Sequence, residues 1–197
     1  ELAGELPVLN MPTDRPRPAM QSYQGDYISF SLPAGLSHDL RGLCQREGVT
    51  LFMALLAGFQ ALLHRYSGQD DIAIGTPIAN RNRADIEGLI GFFVNTLVLR
   101  TQFRAAGATA GSSFASPTFR QVLRQVRETA LGAYAHQDLP FEMIVDAVNP
   151  QRNLSHSPLF QLMFAVQNTP LKAQALTDLP RNRSADWPGQ SRSRIAS

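Results

Sequence analysis

Few residues in this sequence carry reactive chemistry. Its four histidines, His38, His64, His136 and His156, stand in unrelated contexts, and its one cysteine, Cys44, lies beside Leu40 and Leu43 in a helical pattern. A lone thiol can form neither an internal disulfide nor a multi-thiolate metal site, and it fits a reduced, cytoplasmic setting. There is no Gly-rich phosphate loop, no Gly-x-Ser-x-Gly elbow and no His-Glu-x-x-His helix, so neither a metal nor a self-contained catalytic set is expected. His136 and Asp138 suggest a dyad. They fall where one helical pattern ends and another begins, so the expected roles are structural: Asp138 meets free helix amides and His136 meets terminal carbonyls. His64 closes an apolar helical pattern, where capping the last carbonyls is the ordinary role. Asn95 interrupts an apolar run. A buried amide is costly unless satisfied, so Asn95 either bonds neighbouring backbone or faces a polar cavity.

The elements that must position these residues follow from periodicity. Leu6 to Pro18 holds four prolines and reads as an irregular connector. Tyr27 to Leu32 alternates apolar and polar residues, which predicts a strand. Ser37 is placed to cap a helix carrying Leu36, Leu40 and Leu43 that ends near Gly48. Thr50 caps a second helix, Leu51 to Tyr66, apolar at three- and four-residue spacing. Asp71 to Ile78 and Ile90 to Arg100 are predicted strands, the second apolar on both faces as in a covered sheet, with Asn80 to Asp85 a loop between them. Gly91 is expected at a bend or a close approach. Ser116 and Pro117 begin a helix with Phe119, Val122, Leu123, Val126 and Ala130 inside and Arg120, Arg124, Arg127 and Glu128 outside. A further helix starts at Pro140, and Phe160 to Val166 alternates as a third strand. Phe103 to Ser116 and Leu171 to Ser197 lack periodicity and read as irregular or foreign to the fold. Mixed strands and helices without a repeat predict one layered α/β (α+β) unit.

Composition narrows the function classes. The 197 residues are 44% hydrophobic and 17% charged, enough to bury a core. The formal charge is +2, with arginines scattered singly and Lys172 the sole lysine, so the basic stripe a nucleic-acid partner needs is missing. The longest apolar stretch, Leu51 to Leu63, is interrupted by Gly58 and Gln60, short of the ~20 residues of a spanning helix, so no membrane partner is expected.

Three blocks stand out: Ile90-Gly91-Phe92-Phe93-Val94-Asn95-Thr96-Leu97-Val98-Leu99-Arg100, His136-Gln137-Asp138-Leu139-Pro140-Phe141-Glu142, and Arg152-Asn153-Leu154-Ser155 running on to Ser157-Pro158-Leu159-Phe160-Gln161. In this order and spacing they resemble three consecutive signature motifs of nonribosomal peptide synthetase condensation domains. Upstream text from Leu9-Asn10-Met11-Pro12 to Gly75-Thr76-Pro77-Ile78-Ala79-Asn80-Arg81 is similar too.

The resemblance implies the C-terminal lobe of a chloramphenicol acetyltransferase-like fold, with a central mixed sheet and flanking helices. Residues 1–18 would connect from an N-terminal lobe, 19–170 would form the lobe, and 171–197 would be a disordered or non-family tail. The implied reaction joins an upstream carrier-bound acyl or peptidyl thioester to a downstream carrier-bound amine. Substrates would ride on phosphopantetheine arms, with no directly bound cofactor. Implied partners are the other lobe, the upstream and downstream peptidyl carrier proteins and an adenylation domain. The family's His-His-x-x-x-Asp-Gly motif does not occur in this sequence, so no catalytic residue is assigned and the chain alone is expected to be inactive. By resemblance Asn95, Gly91 and Phe93 line the substrate tunnel, and Arg81 either bridges to an acidic group of the other lobe or is a solvated loop arginine. His136, Asp138, Arg152 and Ser155 are expected to order the backbone. The rival function is a non-catalytic module that docks carrier proteins or tailoring enzymes.

Overall fold

Helix ends are set by local chemistry. In a computed structural model, which describes residues 2, 6–16, 18, 20, 25–81, 84–103, 117–148, 157 and 159–167, α1 spans Ala34–Glu47 and α2 spans Leu51–Ser67. Thr50 caps α2 as expected, its hydroxyl accepting the Met53 N–H at 3.2 Å. Gly48 and Gly68 end the two helices at φ 63° and 69°, a left-handed conformation that costs glycine little. Ser37, by contrast, does not cap α1. The helix begins after Pro33, whose carbonyl takes the Ser37 N–H at 3.1 Å, so Ser37 lies inside the first turn.

Strand β1, Asp71–Ile78, pairs antiparallel with β2, Asn95–Gln102, in the register Asp71↔Gln102 to Ile78↔Asn95. The expected strand over Ile90 to Arg100 is therefore shifted. Strand β1 has ended where Asn95 begins, so residues 90–94 have no ladder to join. On its other edge Gly75 bridges to Met163 in parallel, its N–H reaching the Leu162 carbonyl at 3.0 Å and its carbonyl accepting from Phe164 at 2.8 Å. The predicted third strand is thus reduced to an extended segment with one bridge, and the arrangement around β1 is mixed. Short helix α3, Ala84–Glu87, lies between the strands where a loop was expected.

Helix α4, Phe119–Ala135, starts two residues later than expected. Thr118 and Gln121 form a reciprocal capping box, while Ser116 lies outside the described residues. Val122, Leu123, Val126 and Ala130 are buried as their spacing predicts, but Phe119 is 44% exposed because it opens the first turn. Helix α5 follows at Phe141–Val148.

The sheet is covered on both faces. Ile72, Ile74 and Leu99 pack with Met53, Leu56 and Leu63 of α2 and the inner stripe of α4, whereas Ala73 and Val98 pack with Leu159 and Phe160 beside Phe141 and Ile144. Such double coverage explains why both strands are apolar on both sides. Gln60, fully buried, ties α2 to β2: its Nε2 donates to the Leu99 carbonyl at 3.4 Å and its Oε1 accepts from Thr101 Oγ1 at 2.8 Å. Arg100 grips Asp71 through Nε at 2.9 Å and Nη2 at 2.7 Å, and these hydrogen bonds hold its guanidinium above its ordinary pKa against the opposing pull of burial.

One expectation at the N-terminal side needs correction. Tyr27, Ile28 and Phe30 are 86%, 91% and 82% exposed and form no strand, since no described strand lies beside them. The proline-rich connector is irregular as predicted, yet it is anchored: Leu9 is buried in the main core and its N–H donates to Gln161 Oε1 at 2.7 Å. All these elements lie in one compact unit, Glu1–Val166. Among the described residues no single helix is long and apolar enough to cross a membrane.

Candidate functional site

Asn95 opens β2 and its amide is held by one turn. Its Nδ2 donates to the carbonyls of Gln137 and Leu139, both at 2.9 Å, and its Oδ1 accepts the Phe141 N–H at 3.1 Å. Both amide hydrogens are thereby used. Of the two roles open to this residue, bonding neighbouring backbone is the one the geometry displays. The consequence is positional, because the amide fastens the first signature block to the second across more than 40 residues of chain, at separations of 42 to 46.

Arg81 is neither a solvated loop arginine nor idle. Its Nη1 donates to the carbonyls of Ile86 and Leu89 at 2.7 Å each, its Nη2 to that of Gly91 at 3.2 Å, and its guanidinium carbon lies 4.3 Å from the centre of the Phe93 ring. The planar fork suits several carbonyls at once, and the ring face suits the cation. Gly91 is a bend rather than part of the strand, and a side chain there would meet Phe93 Cε2 at 3.0 Å. Arg81, Phe93 and Gly91 thus fold residues 86–93 into a tight loop. Ile90 and Phe92, 104% and 91% exposed, project from it.

His136 ends α4, its N–H reaching the carbonyls of Ala133 and Tyr134 and its carbonyl accepting from Leu139 at 3.2 Å. Asp138 is exposed on the same turn. The two mark a helix end, where His136 acts through its backbone N–H and carbonyl. Beneath this turn a cavity of about 420 Å³ opens between β2, α4 and α5, walled by Leu97, Val98, Ile144 and Val148 with His136 at its edge. Sequence reasoning missed this cavity. Its one signal was the pair Gly132 and Ala133 on α4, small residues where a packed helix would carry larger ones.

His64 is engaged beyond the helix end, on the carbonyl of Gln69, rather than on the last carbonyls of α2. Its Nδ1 bonds the Gln69 carbonyl at 2.9 Å, so that nitrogen carries the proton, and its ring stacks on Phe103 at 4.5 Å. Arg152, Ser155 and His156 lie outside the described residues, as do residues 104–116 and 168–197. Among the described residues no group of histidine, cysteine and carboxylate side chains could hold a metal.

A small antiparallel sheet packed among helices has the architecture of a chloramphenicol acetyltransferase-like fold. It superposes on the X-domain from teicoplanin biosynthesis with a TM-score of 0.72 at 30% identity, over 82% of this chain and 34% of that one. That domain is also solved in complex with OxyB. A four-domain nonribosomal peptide synthetase, holo-AB3403, gives a TM-score of 0.75 at 32% identity, over 83% of this chain and 12% of that one. The chain belongs to the condensation-domain family, whose model matches residues 1–194. A linear gramicidin synthase of Brevibacillus parabrevis is 57% identical over 176 residues, which are 89% of this chain and 3% of that synthase.

Proposed function

We propose that this chain supplies one wall of an amide-forming condensation site. The amine of a downstream aminoacyl thioester attacks an upstream acyl or peptidyl thioester, both held on phosphopantetheine arms of carrier proteins within a multidomain synthetase that also carries adenylation domains. Such chemistry needs a neutral amine, exclusion of water and donors near the developing oxyanion. Residues 19–170 act as the C-terminal lobe and 1–18 as the connector. By its resemblance to the family, whose acid–base histidine belongs to a His-His-x-x-x-Asp-Gly motif that does not occur in this sequence, the histidine would come from a second lobe.

The observation that carries this proposal is the Asn95 clamp. Two of the three blocks that resemble family motifs meet through its three hydrogen bonds, directly over an aliphatic cavity. Asn95 serves the tunnel by positioning its wall, while Phe93 and Gly91, held by Arg81, shape the adjoining loop; from this loop Arg81 also faces the second lobe. An assay with carriers loaded by a donor thioester and an acceptor amine tests the proposal. This chain alone is expected to give background rates, and together with a lobe bearing the double-histidine motif it is expected to turn over. Amide formation by the chain alone would overturn it.

A second proposal has one observation in its favour, the likeness to the X-domain that was solved bound to OxyB. In that case the lobe recruits a tailoring enzyme and does no chemistry. Failure of the completed two-lobe domain to make amide, with tight binding to such an enzyme, would decide for it.

A further inference from the structure

We propose that the cavity between β2, α4 and α5 holds an unbranched aliphatic chain of medium length, the acyl part of a thioester whose carbonyl lies at His136; this rests on the condensation function proposed above. The cavity's volume, about 420 Å³, falls within the range of roughly 300–1,000 Å³ typical of small-molecule sites. Its walls are aliphatic. Leu97 and Val98 come from the strand and Ile144 and Val148 from α5, and among the described residues no Phe, Tyr or Trp lines it. Stacking with a flat ring is therefore not on offer along these walls, whereas a flexible hydrocarbon loses nothing by the lack of polar partners.

Three small residues keep the space open. Gly132 and Ala133 line it from α4 and Ala147 from α5, where larger aliphatic side chains would fill it. Among the described residues His136 is the single titratable side chain of the lining, so a ligand with one polar end and one apolar end is matched in both respects. The rim does not depend on the ligand to form, because Leu139 sits on the turn that Asn95 clamps through three backbone bonds. A preformed site loses less entropy on binding and selects by length.

Calorimetric titration of the chain with decanoyl-, octanoyl- and hexanoyl-pantetheine, and with pantetheine itself, tests this. Affinity is expected to fall ~10-fold for each two methylenes removed, and pantetheine alone to show no binding. Ala147→Trp fills the cavity from its exposed edge and should weaken decanoyl-pantetheine at least ~10-fold while keeping its thermal transition. If that variant fails to fold, Gly132→Leu gives the same readout from the other wall. Binding independent of chain length, or unchanged in a folded cavity-filling variant, would overturn the proposal. The two proposals fail separately. Length-dependent binding by a chain whose completed domain makes no amide keeps the cavity and sinks the condensation function. Amide formation from decanoyl carriers that ignores Ala147→Trp does the reverse.

Discussion

Asn95 Oδ1 accepts the backbone N–H of Phe141 at 3.1 Å, so the first residue of β2 fixes the first residue of α5. With its two Nδ2 bonds this gives one side chain control of the turn over the cavity. Asn95→Ala removes all three bonds and is expected to cost about 2–4 kcal/mol in urea unfolding. Asn95→Asp is expected to be worse at neutral pH, since a carboxylate would face the carbonyls of Gln137 and Leu139. That environment raises the new carboxyl's pKa in the folded state, so stability is retained below the unfolded value and lost as pH rises through the folded one. The deficit relative to the native chain should therefore be larger at pH 7 than at pH 4.

Gly75 is required by a neighbour rather than by its own backbone. A Cβ there would stand 2.5 Å from Phe160 Cε2 and 2.6 Å from Cζ. Gly75→Ala is expected to destabilise by about 1–3 kcal/mol through overpacking. Adding Phe160→Leu should recover part of that loss, and a double-mutant cycle should show coupling of at least about 0.5 kcal/mol. Strict additivity would mean that the ring does not oppose the strand at this point.

Arg81 organises residues 86–93 through planar bonding that a lysine cannot copy. In Arg81→Lys, amide hydrogen exchange at Leu89, whose N–H bonds the Ile86 carbonyl at 3.2 Å, should accelerate about 5- to 10-fold while the strand amides of β1 keep their protection. Unchanged exchange at Leu89 would remove Arg81 from this role.

Burial pushes the Tyr134 phenol above its ordinary value of 10.0. The folded state therefore favours the neutral form, and its contribution is intact below the unfolded value and lost as pH rises through the folded one. Tyr134→Phe is expected to narrow the fall in urea midpoint between pH 8 and pH 11. An equal fall in both proteins would place the alkaline sensitivity elsewhere.

Much of this fold is legible from periodicity, and the exceptions have physical causes. Helix α2 and strand β1 sit where Thr50, Gly68 and the Ile72–Ile74 alternation put them, because caps and burial act locally. The start of β2 is not legible, since Ile90 to Val94 is as apolar as the strand itself; its boundary depends on where β1 ends and on Arg81 taking the carbonyls of Leu89 and Gly91. Tyr27 to Leu32 has the pattern of a strand, but pattern alone cannot supply a pairing edge. At the site, Asn95 was conspicuous as an amide among apolar residues. That its partners are the backbone of a turn 42 residues away is tertiary information.

The clamp's functional weight is measured by amide formation in a completed domain, this chain joined to a lobe with the double-histidine motif, with Asn95 native or replaced by alanine. If the clamp holds the wall in place, a folded Asn95→Ala domain should lose about 100-fold in kcat with a much smaller change in KM. An unchanged kcat in that folded variant would contradict the account.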